Sequence, residues 1–448
     1  MAQMTEDSSQ GDLLSRLRQI KDRRAQHAPE APIAQPVEVV ETAPRSFDFA
    51  SLKEYEQLRL HRAAADMLGL GSPFFREHAR VEGTTSRIDE RDCINFASYD
   101  YVGLNGHPEV RAAAADAVGE WGVSATASRL VGGERPYHRM LETAIADWLG
   151  TEASIAMTSG HATNVTTIGT LLGPRDLVLA DAFIHNSITE GCRLAGVQRV
   201  VFPHNDLDWL DDYLTRNRAR YERVLIAVEG LYSMDGDAPD LAGLVKIKTR
   251  HDAWLMVDEA HALGVLGATG RGLAEHCGVD PQSVEIWMGT LSKTLAACGG
   301  FVAGSRALIE YLRYKAPGFV FSVGVPAPVA AAATKALEVL AREPERVTRL
   351  QENGTYFLEQ ARAAGLDCGH NQGFAVAPVI SGSSVKAATA SEQLFLAGIN
   401  VLPIIFPAVP EKAARLRFFL TSEHTRAQID QAITALDGLD QPAAQRRS

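Results

Sequence analysis

Lys293 stands in Gly289-Thr290-Leu291-Ser292-Lys293-Thr294, a lone lysine among small residues just before Cys298-Gly299-Gly300. Asp258 and His261 stand in Val257-Asp258-Glu259-Ala260-His261, directly after the apolar run Trp254-Leu255-Met256. That run reads as a buried strand whose carboxyl end delivers an acid and a histidine. A lysine in a tight, small-residue pocket suits a Schiff base, and a carboxylate at a strand end suits a pyridinium nitrogen. The pair points to pyridoxal phosphate (PLP), whose carbanion chemistry needs both groups. The bland alternatives are a surface lysine in a loop and an aspartate that caps the next helix.

Further residues fit the same cofactor. Ser159, Gly160 and His161 fall between a strand and a helix, where backbone N–H groups hold phosphate, although ordinary capping explains them equally well taken alone. His185, in Phe183-Ile184-His185-Asn186-Ser187, can stack on a ring. His261 can donate to a phenolic oxygen, and so can Ser233, in Leu231-Tyr232-Ser233-Met234-Asp235-Gly236-Asp237.

The elements that must position them alternate. Short apolar strands are expected at 154–157, 177–180, 199–202, 224–228, 254–257, 286–288 and 300–304, separated by helices such as 137–149, 162–172 and 188–195. This predicts an α/β fold with a mostly parallel seven-stranded sheet covered on both faces. Ligands of such sheets sit outside the carboxyl ends of the strands, where five polar termini fall. Beyond Pro326 the pattern becomes that of a smaller α+β domain, with helices at 326–341, 345–364 and 385–397 and strands at 374–380, 400–404 and 416–420. A helix is expected over 51–70 and another over 108–119, with a small-residue loop from Gly122 to Gly133. The expected division is a flexible extension (1–45), an N-terminal segment (46–105), a large cofactor-binding domain (106–325), a small C-terminal domain (326–437) and a tail (438–448).

The 448 residues carry a formal net charge of −11, which argues against nucleic acid as a partner. No apolar run is long enough for a membrane span, and no secretory h-region opens the chain. The five cysteines lack CxxC spacing, which favours reduced thiols in a cytoplasm over disulfides or a metal site. The short basic helix expected over Leu13–Ile20 is read first as part of a flexible tail. The alternative is a docking element for an acidic carrier protein or a membrane surface, giving peripheral membrane contact.

From about Ser51 to Ala432 the chain resembles the α-oxoamine synthase family of fold-type I PLP enzymes. The stretches that carry the resemblance are Glu229 to Asp237, Val257 to His261 with Gly270-Arg271-Gly272, and Gly289 to Lys293. The resemblance implies that Lys293 binds the cofactor covalently, Asp258 pairs with the ring nitrogen, and His261 and Ser233 lie near the phenolic oxygen. It implies that His185 stacks on the ring, while Ser159, Gly160, His161, Thr290 and Ser292 serve the phosphate. Ser322 would reach the phosphate of a partner subunit in an obligate homodimer, and Arg417 would hold the amino-acid carboxylate. Ile405 stands where some members carry an arginine. Ser98-Tyr99-Asp100-Tyr101 is similar to the version in serine palmitoyltransferases. The implied reaction condenses a small α-amino acid with an acyl thioester of coenzyme A or an acyl carrier protein, with loss of carbon dioxide. Tyr99 puts serine first, with glycine and alanine next. The rivals are an aminotransferase or lyase on the same fold and a non-catalytic partner subunit, against which the presence of Lys293 counts.

Overall fold

The computed structural model describes residues 48–67 and 71–440. The expected extension with its Leu13–Ile20 helix, the end of the 51–70 helix and the last residues of the tail lie outside them. The described residues divide into two units, 48–64 and 65–440. In the first, Asp48 caps a short turn, Phe49–Ser51, by accepting from the Ala50 N–H. Lys53–Met67 forms a helix that opens with Glu54 and Glu56, acids well placed at a helix N-terminus.

The second unit begins with a hairpin the sequence did not announce. Strands β1 (His78–Glu82), β2 (Thr85–Ile88) and β3 (Arg91–Asn95) form an antiparallel meander. β1 is exposed at every position, so no apolar alternation marks it. After it come β4 (Ala153–Met157), β5 (Leu177–Asp181), β6 (Gln198–Phe202), β7 (Val224–Glu229), β8 (Trp254–Asp258), β9 (Ile286–Thr290) and β10 (Gly300–Gly304). These seven form one sheet in the order β4-β10-β9-β8-β7-β5-β6. All neighbours run parallel except β10, which is antiparallel to β4 and β9. The mostly parallel seven-stranded sheet expected from the apolar strands is thus present.

Four of these strands, β5, β7, β9 and β10, are buried at every position, as a sheet covered on both faces requires. Phe301 faces Gly289 directly across the β9–β10 pair, and a Cβ on Gly289 would meet the Phe301 ring at 2.2 Å. Only glycine leaves room for that ring, whose burial contributes about 1.5–3 kcal/mol. The strand-to-helix turns carry residues that satisfy free helix N–H groups. Ser159, Asp206 and Asp240 each accept from the first turn of the helix they precede, each worth about 1 kcal/mol.

The C-terminal region supplies β11 (Val376–Ile380), β12 (Ile399–Asn400), β13 (Leu402–Ile404) and β14 (Arg415–Phe419). The single strand expected over 400–404 is split between sheets. β12 pairs in parallel with β3, where Asn400 donates to Asn95 at 2.9 Å, while β13 joins β14 and β11. The chain passes from one sheet to the other at the buried Val401. The 122–133 loop also differs from expectation, because Arg129–Gly133 forms one π-helical turn. Arg129 pins it by ion pairs to Glu134 at 2.6 Å and Glu142 at 2.5 Å. Helices at Arg306–Lys315 and Arg426–Asp440 complete the covering layers. All five cysteines are free thiols, and no helix among the described residues is long and apolar enough to cross a membrane.

Candidate active site

The carboxyl ends of β4, β5, β7, β8 and β9 close on a cavity of about 300 Å³, lined by Gly160, Asn164, His185, Asp258, His261 and Lys293 among others. A larger hollow of about 610 Å³ opens at the opposite ends of the sheet beside Trp254, Ile286 and Tyr311. Its acids are already engaged: Glu152 accepts from the Arg306 N–H, and Glu285 from Lys248 and the Leu255 N–H. The chemistry-bearing groups converge in the smaller cavity.

Lys293 sits in the tight connection between β9 and the antiparallel β10. Leu291 N donates to Gly299 O at 2.9 Å, Ala297 N to Leu291 O at 2.9 Å, and Thr294 Oγ1 to Leu263 O at 2.7 Å. The Lys293 ammonium lies 5.7 Å from the Tyr99 ring centroid. Burial lowers its pKa to about 8, against the pull of Asp258 and Glu229.

Asp258 ends β8 with its carboxylate fixed at both oxygens. Oδ2 accepts from Asn164 Nδ2 at 2.9 Å and Oδ1 from the Ala260 N–H at 3.0 Å. Asn164 Nδ2 also donates to Ser187 Oγ at 2.9 Å, and Ser187 Oγ lies 2.7 Å from His185 Nδ1. The Ser187 N–H points at the same Nδ1, so this nitrogen accepts and the hydroxyl donates to it. Opposite Asp258 in the β7–β8 register stands Glu229. Its Oε2 accepts from the Ser233 N–H at 2.9 Å, while Oε1 is buried without a partner among the described residues. Burial, and then the Asp258 charge, push Glu229 up to about 8.

His261 is buried and meets the Tyr101 hydroxyl at 2.6 Å through Nδ1. Phe419 stacks on its ring, with centroids 6.2 Å apart, and Tyr99 meets it edge-on at 6.0 Å. Burial first, then the Lys293 and Arg417 charges, hold His261 well below its ordinary pKa, so the imidazole is neutral.

At the opposite end of the cavity the turn after β4 approaches the ends of β9 and β10. A Cβ on Gly160 would lie 3.0 Å from Thr290 Oγ1, and one on Gly300 would lie 2.6 Å from Gly160 Cα. Thr290 Oγ1 sits 2.7 Å from Ser292 Oγ. Ser159 also lines this end, but its hydroxyl accepts from the Ala162 N–H and caps the helix. His161 is exposed at the rim, 6.3 Å from the His185 ring.

Of the residues singled out in the sequence, Lys293, Asp258, His261, His185, Ser159, Gly160, His161, Thr290 and Ser292 line one cavity. Ser233, Arg417, Tyr99 and Ser322 do not. Ser233 offers its backbone, donating to Glu229 and accepting from Arg417 Nη1 at 2.9 Å. Arg417 stacks on Phe419 at 4.7 Å, and its buried Nε has no partner among the described residues. Ser322 lies in a separate recess beside Arg129 and Phe319. Three residues of the network escaped sequence reasoning, Asn164, Ser187 and Tyr101, while Glu229 was read only as a polar strand end. For Asn164 a signal existed, since it falls one helical turn after Gly160 and so shares its face.

This donor set fits PLP. A fixed buried carboxylate suits a ring nitrogen, a buried lysine whose pKa falls to about 8 suits covalent attachment, and a glycine-lined helix N-terminus with two hydroxyls suits a phosphate. The profile of the "Aminotransferase class I and II" family matches residues 91–436. An 8-amino-7-oxononanoate synthase of Symbiobacterium thermophilum is 39% identical over 350 residues, 78% of this chain and 89% of that protein. The enzyme of the same name from Anaeromyxobacter sp. (strain K) is 42% identical over 376 residues, 82% of this chain and 92% of that protein. Among solved structures, a serine palmitoyltransferase from S. paucimobilis with a bound PLP–myriocin aldimine superposes with a TM-score of 0.83 at 30% identity, covering 87% of this chain and 98% of that one. The chain belongs to the α-oxoamine synthases, PLP-dependent acyltransferases of fold type I within the class I and II aminotransferase family.

Proposed function

We propose that this enzyme condenses a small α-amino acid with an acyl thioester, consuming a proton and releasing carbon dioxide and thiol to leave an α-aminoketone. The observation that carries this is the convergence of Lys293, Asp258, His185 and His261 on one cavity, with Arg417 beside it. Bound there, PLP supplies an electron sink for a carbanion at the amino acid's α-carbon. Lys293 holds the cofactor and, with its pKa lowered to about 8, takes the α-proton on Nζ. Asp258 keeps the ring nitrogen protonated, and His185 covers the ring. Gly160, Thr290 and Ser292 receive the phosphate, with Ser159 and His161 flanking them. His261 donates from Nε2, and Ser233 borders the same edge through its contact with Glu229. Arg417, stacked on Phe419 beside the His261 ring, binds the α-carboxylate. Ser322, outside its own chain's cavity, serves the phosphate site of a second copy in a homodimer.

Serine is the proposed amino acid, because Tyr99 stands beside both Lys293 and His261. A second reading, alanine, is favoured by the relatives: 8-amino-7-oxononanoate ends in CH3–CH(NH2)–C(=O)–, in which CH3–CH(NH2)– is what alanine leaves when its carboxyl is lost and the carbonyl is the acyl carbon of the thioester. The test is a screen of serine, alanine and glycine against short and long thioesters of coenzyme A and carrier protein. Carbon dioxide release that depends on the thioester is the expected result. Transamination without thiol release would instead indicate an aminotransferase.

A further inference from the structure

We infer that Tyr101 is a positioning residue: its hydroxyl donates to His261 Nδ1 and so fixes the imidazole as the tautomer that carries its proton on Nε2, as a donor to the cavity. This rests on the reading of His261 as a donor given above.

The assignment follows from counting protons. Burial keeps the Tyr101 phenol protonated, and His261 is neutral, so each group has one hydrogen to place. Tyr101 is fully buried, and among the described residues His261 Nδ1 is the one partner of its hydroxyl. Were the proton on Nδ1, it would point at the phenol oxygen, and the Tyr101 O–H would be left in the core without an acceptor. With the hydroxyl donating, both groups are satisfied and the imidazole proton moves to Nε2. That nitrogen has no partner among the described residues, and His261 lines the cavity.

The backbone holds Tyr101 to this task. Asp100 Oδ1 accepts from the Leu104 N–H at 2.8 Å and closes the turn that follows β3. Gly103 takes φ +68° there, against Glu423. The Ser422 N–H donates to Tyr101 O at 2.7 Å. The ring of His261 cannot rotate away, because Phe419 covers one face and Tyr99 abuts it edge-on.

Two measurements test this. In the substrate-free holoenzyme labelled with ¹⁵N-histidine, with His261 identified by difference from His261→Asn, the proton is expected on Nε2. A proton on Nδ1 overturns the inference, and this result needs no variant of Tyr101 to fold. In kinetics, Tyr101→Phe is expected to lower kcat roughly tenfold or more, with KM for the amino acid within about twofold. The loss should shrink to less than about twofold in the His261→Asn background, where an amide donates whatever Tyr101 does. An equal loss in both backgrounds overturns the inference. If the wild-type enzyme condenses no amino acid with any thioester, the functional reading fails while the tautomer result stands.

Discussion

Asn164 Nδ2 donates to Asp258 Oδ2 at 2.9 Å, and its second hydrogen goes to Ser187 Oγ at the same distance. One amide therefore fixes the carboxylate that faces the cavity and, through Ser187, the imidazole of His185. Replacing it by alanine removes both restraints from buried partners. Asn164→Ala is expected to weaken PLP binding roughly ten- to a hundredfold, measured by the visible absorbance of the holoenzyme during cofactor titration.

Lys293→Ala is expected to remove covalent attachment altogether. Borohydride should fix the cofactor onto Lys293 of the wild type and onto nothing in the variant. Condensation should fall by about a hundred- to ten-thousandfold, the usual worth of a positioned base. A variant that retains covalent cofactor would assign the attachment to another residue.

Gly160→Ala places a methyl group 3.0 Å from Thr290 Oγ1, at the end of the cavity assigned to the phosphate. Affinity for PLP should drop about tenfold while affinity for pyridoxal, which lacks the phosphate, stays within about twofold. Equal losses for the two would show that the substitution disturbs the ring site instead. Both affinities can be read by quenching of intrinsic fluorescence.

Stability of the cofactor-free protein should decline between about pH 7 and 8, above the range where histidines held below their ordinary pKa, among them His185, His261 and His424, act in the opposite sense. Burial raises Glu229 and Glu259 from 4.5 to about 8, so the folded state keeps protons that the unfolded chain has released. His204 acts in the same direction. Burial opposes its charge, yet hydrogen bonds to Asp181 and Asp237 raise it from 6.5 to about 9. Each of these groups stabilises fully below its unfolded pKa, and the contribution is lost as pH rises through the folded value. Lys293, lowered to about 8, acts in the opposite sense only above that pH. A fall in Tm of at least about 2 °C across the window is expected by calorimetry. Glu259→Gln, which keeps an acceptor for the Leu273 N–H, should make the slope shallower.

The cofactor end of the site was legible because chemistry and topology coincide there. Strands such as β7 and β8 are apolar to the last residue and then turn polar, so Asp258 and Lys293 announce themselves by contrast. Asn164 and Ser187 did not, because a polar residue inside a helix turn looks like solvent-facing surface until its partner strand is known. Tyr101 was hidden for the opposite reason: an aromatic residue in an apolar turn after a strand reads as core. The N-terminal hairpin went unseen since β1 buries nothing. The split near Val401 depends on which sheet each half joins, a long-range choice that local pattern does not encode.

The reversed direction of β10 has a consequence for tolerance to change. Every other carboxyl-end residue of the cavity is followed by a helix, and such junctions accept insertions. Lys293 instead stands on a link whose two ends are strands already zipped to each other, Thr290 opposite Gly300. One residue added between them would slip the register or lift the lysine away from Asp258. Loop-length variation, the ordinary route to new specificity in this architecture, is therefore closed at the lysine.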